Sequence, residues 1–274
     1  MDAHLPLSSL VTLSFFFFFT ILPPSYCIED ELFVQCGQTY NCGDIKNISF
    51  PFWGDDRSEY CGLPGFQLEC HDGKYPTIRF EELEFRVLHI NTWLHTMTIA
   101  RLDLLNIATC PQKLLNTTLD FNIFDYVPAT DQNLTLFYDC SPRVDIPVQN
   151  SFNCSLEVGV TYNAYFVDES LWSIQEELIV ECKRNFKVPI LRSAPINESE
   201  GGVPALQKVL NRGFDVEYLR DLSLICSACV ESGGECGSNF THRFACYCRD
   251  GVQSHVCLIR GTHILCSSHF PELG

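Results

Sequence analysis

Positive charge is scarce in this chain. Its 274 residues carry 18 Lys and Arg against 34 Asp and Glu, a formal charge of -16. Binding of nucleic acid needs clusters of cations that neutralise phosphates; none occurs, so a nucleic-acid partner is not expected. A second long apolar run is also missing. Beyond the N-terminal segment no stretch approaches the ~20 apolar residues of a membrane helix, and Thr262 to Gly274 lacks the hydrophobic tail of a GPI signal. Catalytic signatures are thin. There is no Gly-x-Ser-x-Gly elbow, and the eight histidines are scattered, none at His-x3-His spacing. His242 and His255 read as surface residues. A carboxylate pair for glycoside hydrolysis is a matter of geometry that a sequence does not display. No internal repeat is present. The expectation is a protein without catalysis, cofactor or metal.

Cysteine, by contrast, is abundant. There are 16, ending in the cluster Cys226-x2-Cys229-x6-Cys236-x9-Cys246-x-Cys248-x8-Cys257. Cys226-x2-Cys229 is also a metal-ligand step, so the compartment decides between zinc and disulfides. The N-terminus points to export. Leu5 to Leu22 holds a Phe-rich apolar run closed by Pro23-Pro24, the form of a signal-peptide core, with Ser25 and Cys27 small enough to precede a cut. The n-region has no Lys or Arg, which leaves an uncleaved anchor as the alternative. The reading is a signal peptide over 1–27 and an oxidised mature chain. Cleavage after Cys27 leaves 14 cysteines from Cys36 to Cys257 for pairing (Cys36, Cys42, Cys61, Cys70, Cys110, Cys140, Cys154, Cys182 and the six of the tail), with Cys266 odd. Six sequons fit the same route: Asn47, Asn116, Asn133, Asn153, Asn197 and Asn239.

Short β-type runs separated by Gly and Pro dominate the pattern, so the fold class is mainly β. Thr77–Phe80, Phe85–Ile90, Thr96–Ala100, Leu134–Cys140 and Val158–Val167 read as strands, with Asp72-Gly73 as a hairpin turn between two of the first group. Ile174 to Cys182 fits a strand or a short helix. Pro189 to Pro204 has the composition of a linker. Ala205 to Val209 reads as a short helix closed by Gly213. The tail from Cys226 to Cys257 is too short to bury a sufficient apolar core and needs its bridges.

Two segments resemble a known family. Cys42-Gly-Asp-Ile-Lys-Asn-Ile-Ser-Phe-Pro-Phe-Trp-Gly54, followed by Cys61-Gly-Leu-Pro-Gly-Phe-Gln-Leu-Glu-Cys70, resembles the galacturonan-binding module of plant wall-associated receptor kinases. Cys226-Ser-Ala-Cys229, Ser232-Gly-Gly-Glu-Cys-Gly237 and Phe244-Ala-Cys-Tyr-Cys-Arg-Asp-Gly251, with Leu206 to Phe214 upstream, resemble the C-terminal module of the same kinases, and those of the leaf-rust-resistance type above all. The resemblance implies two disulfide-rich modules, 28–109 and 110–257, the second ending in a small EGF-like cluster at 226–257; 258–274 is unassigned. EGF analogy implies the pairs Cys226–Cys236, Cys229–Cys246 and Cys248–Cys257. A calcium site of the EGF type is not expected, because Arg220 to Ile225 lacks clustered acidic ligands.

What the resemblance implies for function is an extracellular wall sensor that binds pectic polysaccharide without chemistry. Its kinase is not in this sequence: no Gly-rich loop or Asp-Phe-Gly occurs, and Thr241-His-Arg-Phe lacks the required Asp. That implies an ectodomain-only relative or a shortened product, secreted to the wall. The ligand-binding candidates are Trp53 and Tyr60, as stacking platforms, and Arg57, Lys74 and Arg79, as partners for galacturonate carboxylates. A core role competes for the aromatics: Phe50 and Phe52 alternate about Pro51 and would share one strand face, and Trp53 is open to either reading. Charge opposes the pectin reading, since residues 28–109 hold 13 Asp and Glu against 6 Lys and Arg, a net of -7. Glu81-Glu82-x-Glu84 reads as a solvated face. The alternative is a decoy or co-receptor that pairs with the ectodomains of related receptor kinases.

Overall fold

The computed structural model describes residues 30–258 except 107–109, 112, 142–145, 147, 156–158, 194–201 and 219. The segment 1–27 read as a signal peptide, Asn197, Cys266 and nearly all of the 258–274 tail lie outside the described residues. Helix α1 (Glu31–Cys36) opens the chain, capped by Asp30, whose Oδ1 accepts from the Leu32 and Phe33 amides at 3.0 and 3.3 Å. A small hairpin follows, β1 (Tyr40–Cys42) and β2 (Ile45–Ile48). Then comes a meander of β3 (Glu69–His71), β4 (Tyr75–Phe80), β5 (Leu83–Asn91) and β6 (Thr96–Arg101). Asp72-Gly73 makes a hairpin turn, but it joins β3, a strand that was not expected, to β4 rather than two of the expected strands.

Strands β7 (Phe124–Tyr126), β8 (Asp131–Cys140), β9 (Ser151–Ser155) and β10 (Thr161–Asp168) lead to helix α2 (Trp172–Glu181) and β11 (Cys182–Leu191). Helix α3 (Gly202–Arg212), β12 (Phe214–Tyr218), helix α4 (Arg220–Glu231) and β13 (Glu235–Ser238), β14 (Phe244–Cys248) and β15 (Gly251–Gln253) complete the order. The open segment Ile174–Cys182 resolves as helix α2. Pro189 is not in a linker: it lies buried inside β11, opposite Asn133.

The strands form antiparallel sheets with orders β3-β4-β5-β6-β12-β7, β11-β8-β10-β9 and β13-β14-β15. In the six-stranded sheet the apolar side chains of alternate positions gather on one face, although Thr77 of the other face is buried too. Ile78, Phe80, Leu83, Phe85, Val87, Met97, Ile99, Phe214 and Val216 face one core, joined by Phe52 and Phe66. Each large side chain so buried contributes about 1.5–3 kcal/mol. The four-stranded sheet is covered on both faces, which explains its near-continuous apolar β8. Leu134, Leu136, Phe166 and Phe186 pack under α3 through Leu206, Val209 and Leu210. Phe137, Tyr165 and Val167 pack on the other side with Leu178 of α2.

The expected boundary at 109/110 is not a boundary of the sheets. β7 and β12, from the second module, complete the sheet of the first. Gly213 makes this possible: it sits at φ +67, and a Cβ there would lie 2.1 Å from the Ile99 carbonyl oxygen. Arg101, 2% exposed, ties the two large sheets together. It binds both Asp103 carboxylate oxygens at 3.0 and 2.7 Å, donates to the Leu115 carbonyl at 2.6 Å and lies over the Phe186 ring.

All fourteen cysteines from Cys36 to Cys257 are paired. The bridges are Cys36–Cys61, Cys42–Cys70, Cys110–Cys154, Cys140–Cys182, Cys226–Cys236, Cys229–Cys246 and Cys248–Cys257. The last three are the pairs implied by the EGF analogy. In the tail, buried sulfur replaces an apolar core: Cys229, Cys236, Cys246 and Cys248 cluster together, two of the bridges anchored on α4.

Candidate functional site

The outer face of β3–β5 collects the polar chemistry of the first module. On β4, Pro76, Ile78 and Phe80 are buried, so Tyr75, Thr77 and Arg79 belong to the opposite face. Register places Thr77 beside Arg86, Arg79 beside Glu84 and His71 beside Tyr75. The His71 ring stacks on Tyr75, with centroids 5.4 Å apart and planes at 21°. The Arg86 guanidinium lies 4.6 Å from the centre of the same ring. Beneath them, Thr77 donates to Glu84 Oε1 at 2.8 Å and stands 2.9 Å from His71 Nε2. Arg79 meets Glu84 Oε2 at 3.5 Å and remains largely exposed. The buried Arg86 Nε has no hydrogen-bond partner among the described residues.

This face has two ends. At one, Lys74 stands on the β3–β4 turn, mostly exposed and only loosely paired with Asp72 at 3.8 Å. At the other, Arg79 enters a groove of about 410 Å³ that Glu82, Glu84, Asp103 and Lys113 also line. There Lys113 donates to Glu82 at 2.7 Å, and this hydrogen bond holds the Glu82 carboxyl below its usual range. The six residues of β4 span roughly 20 Å, so the cations lie along a strip rather than in a pit. Glu69, His71 and Glu84 offer donor atoms within 4.8 Å of one another, a set that could hold a divalent cation, though Arg79 and Arg86 beside Glu84 oppose positive charge.

The five expected ligand residues are not brought together. Lys74 and Arg79 lie on this strip. Arg57 does not, and the structure corrects its assignment: it is 5% exposed and its guanidinium is spent on backbone. It donates to the Phe52 and Cys61 carbonyls at 3.1 and 3.0 Å and also to the Gln38 carbonyl. Burial lowers its pKa, while the Glu235 carboxylate opposes that shift. Trp53 is half-buried, donates from Nε1 to the Leu63 carbonyl at 2.8 Å and packs over Gly62, where a Cβ would lie 2.5 Å from its ring. Tyr60 faces the tail module: its hydroxyl donates to Gln35, and its ring meets Tyr247 edge-on at 6.4 Å.

Phe50 and Phe52 do not share a strand face. They flank a turn at Pro51, Phe52 entering the main core and Phe50 packing edge-on against Phe244 of β14. The residues missed were His71, Tyr75, Arg86 and Lys113. Alternation along Tyr75–Phe80 hinted at Tyr75; the Arg86 contact is a cross-strand diagonal that only register reveals. Of the sequons, Asn47, Asn116, Asn133 and Asn153 are exposed and Asn239 is half-buried. Among the described residues no helix is long and apolar enough to cross a membrane.

Comparison with known proteins places this geometry. Residues 36–101 match the family described as wall-associated receptor kinase galacturonan-binding, and residues 153–251 match wall-associated receptor kinase C-terminal. The chain is similar to three Arabidopsis thaliana proteins named leaf rust 10 disease-resistance locus receptor-like protein kinase-like. To 2.1 it is 31% identical over 86% of this chain and 37% of the relative. To 2.4 it is 33% identical over 90% and 37%, and to 1.4 it is 30% identical over 90% and 34%. The chain thus spans about a third of the length of these relatives. No solved structure matches it. With both modules present in order, the chain belongs with the ectodomains of the wall-associated and leaf-rust-resistance-type receptor-like kinases.

Proposed function

We propose that this chain is a non-catalytic binding ectodomain of the plant cell wall, exported and N-glycosylated, whose ligand is a galacturonan-type pectic polysaccharide. One observation carries the reading: the strip from His71 to Arg86 lies wholly inside the segment that matches the galacturonan-binding family. Contacts of its ring with His71 and Arg86 fix Tyr75 on this strip. Lys74 and Arg79, at opposite ends of β4, meet carboxylates of successive sugar units, Arg79 through its planar fork. Recognition is shallow, and the only step is binding.

The acidic surroundings make this binding conditional. A module of net charge -7 repels a polyanion at long range. Contacts along the strip must outweigh that field, so a divalent cation shared between Glu69, Glu84 and the sugar carboxylates should strengthen binding. Calorimetric titration with oligogalacturonides, with and without calcium, tests the proposal. Heat of binding in at least one condition, reduced by Arg79→Ala, supports it; no binding in either removes it.

A second reading, pairing with ectodomains of related receptor kinases, is favoured by Phe240. This side chain is 95% exposed beside a cavity of about 690 Å³ between the tail and Tyr60. A large apolar group so displayed suits a protein partner. Pull-down against relatives' ectodomains, comparing wild type with Phe240→Ser, separates it from glycan binding.

A further inference from the structure

A separate cavity opens where the two matched modules meet, between the β5–β6 hairpin and α4, with a volume of about 320 Å³. Junctions between modules are favoured ligand sites, and this volume lies at the small end of the usual range. Its apolar part comes from Phe50, Pro51, Tyr218 and Val230. Thr92, His95, Ser227 and Glu231 add hydrogen-bonding groups around it. Among the described side chains no Lys or Arg lines it.

We infer that this cavity binds a neutral sugar ring, distinct from the acidic sugar assigned to the sheet face. The composition carries the argument. A pyranose has apolar C–H faces and a rim of hydroxyls, which matches apolar walls edged by hydroxyl, imidazole and carboxylate groups. A uronate is disfavoured, because its carboxylate would meet the Glu231 carboxylate in the lining. One further feature points to an occupant. Between the lining residues Thr92 and His95 stands Trp93, 92% exposed. Its turn is held by Asn91, whose Oδ1 accepts from the Trp93 and Leu94 amides at 3.1 and 3.0 Å. An exposed indole on a turn whose backbone is fixed, beside a cavity, is a stacking platform for a sugar that extends out of it.

The inference is independent of the galacturonan reading, and its test keeps the two apart. Saturation-transfer NMR and calorimetry on the full secreted chain would use cellotetraose, xylotetraose and β-1,4-galactotetraose as neutral probes and trigalacturonate as the acidic one. At least one neutral probe is expected to bind with a Kd of about 1 mM or tighter. Ser227→Trp, an exposed helix position that fills the cavity, is expected to weaken it about tenfold or more while trigalacturonate binding is retained. Trp93→Ala, on an exposed turn, gives a second variant whose fold is not at risk and which should also weaken the neutral probe. Failure of all three neutral probes, or binding indifferent to both variants, overturns the inference. Self-association of the chain that Ser227→Trp abolishes would also overturn it, because the cavity would then be an interface between copies.

Discussion

Asp131 makes the stability of this ectodomain depend on pH with an unusual sign. The side chain is 6% exposed at the start of β8, where it joins the two large sheets. Its Oδ1 accepts from the Asp215 amide of β12 at 3.1 Å and from Thr130 Oγ1 at 3.3 Å, while Oδ2 is buried without a partner among the described residues. Burial pushes its pKa from 3.8 to about 6, and the nearby Asp215 carboxylate adds to this against the opposing hydrogen bonds. A carboxyl raised in the folded state favours the protonated protein. Its contribution is therefore fully present below about pH 3.8 and is lost as pH rises through about 6. At about 1.4 kcal/mol per tenfold change in proton affinity, the difference amounts to roughly 3 kcal/mol. For a domain of this size that corresponds to roughly 6–12 °C in Tm. The assay is thermal unfolding of wild type and Asp131→Asn from pH 4 to pH 8, comparing the difference between them so that other carboxylates cancel. Wild type should lose stability relative to the variant as pH rises through 6. A difference that is flat, or one in which wild type gains on the variant as pH rises, would refute the reasoning.

Other perturbations follow from the same contacts. Gly234→Ala should leave free thiols in the tail, because a Cβ there would lie 2.6, 2.7 and 2.9 Å from the sulfurs of Cys246, Cys257 and Cys229; thiol titration and peptide mapping without reduction read this out. Arg57→Met strips charge-assisted hydrogen bonds from three carbonyls and should cost at least about 3 kcal/mol in denaturant unfolding, while the folded fraction still binds oligogalacturonide. Arg86→Ala should weaken oligogalacturonide about tenfold at low salt and by less at high salt, where exposed charges are screened; calorimetry at two ionic strengths checks both.

Much of the fold was legible because local signals were strong. Short β-type runs between turns marked Thr77–Phe80, Phe85–Ile90 and Thr96–Ala100, and all three fall within β4, β5 and β6. Gly213 marked the end of α3 because its positive φ and close approach to Ile99 tolerate no side chain. Long-range assembly was not legible. Nothing local in Phe214–Tyr218 says that it pairs with β6 of the other module, since strand partners are chosen by packing across the whole sheet. Helix α4 was also missed, because its cysteines read only as staples. The site suffered most. Arg57 and Lys74 look alike in sequence as cations among turns, yet carbonyls from three neighbouring segments bury one and water surrounds the other. Tyr75 gains its meaning from His71 and Arg86, which reach it across strands.

The most direct test of the central claim is calorimetric titration of trigalacturonate into wild type, Arg79→Ala and Arg86→Ala, with Trp53→Phe as a comparator from outside the strip, each with and without calcium. The account predicts binding to wild type and to Trp53→Phe, and loss of about tenfold or more in the two arginine variants. Trigalacturonate that fails to bind wild type, or that binds all four proteins alike, would contradict it.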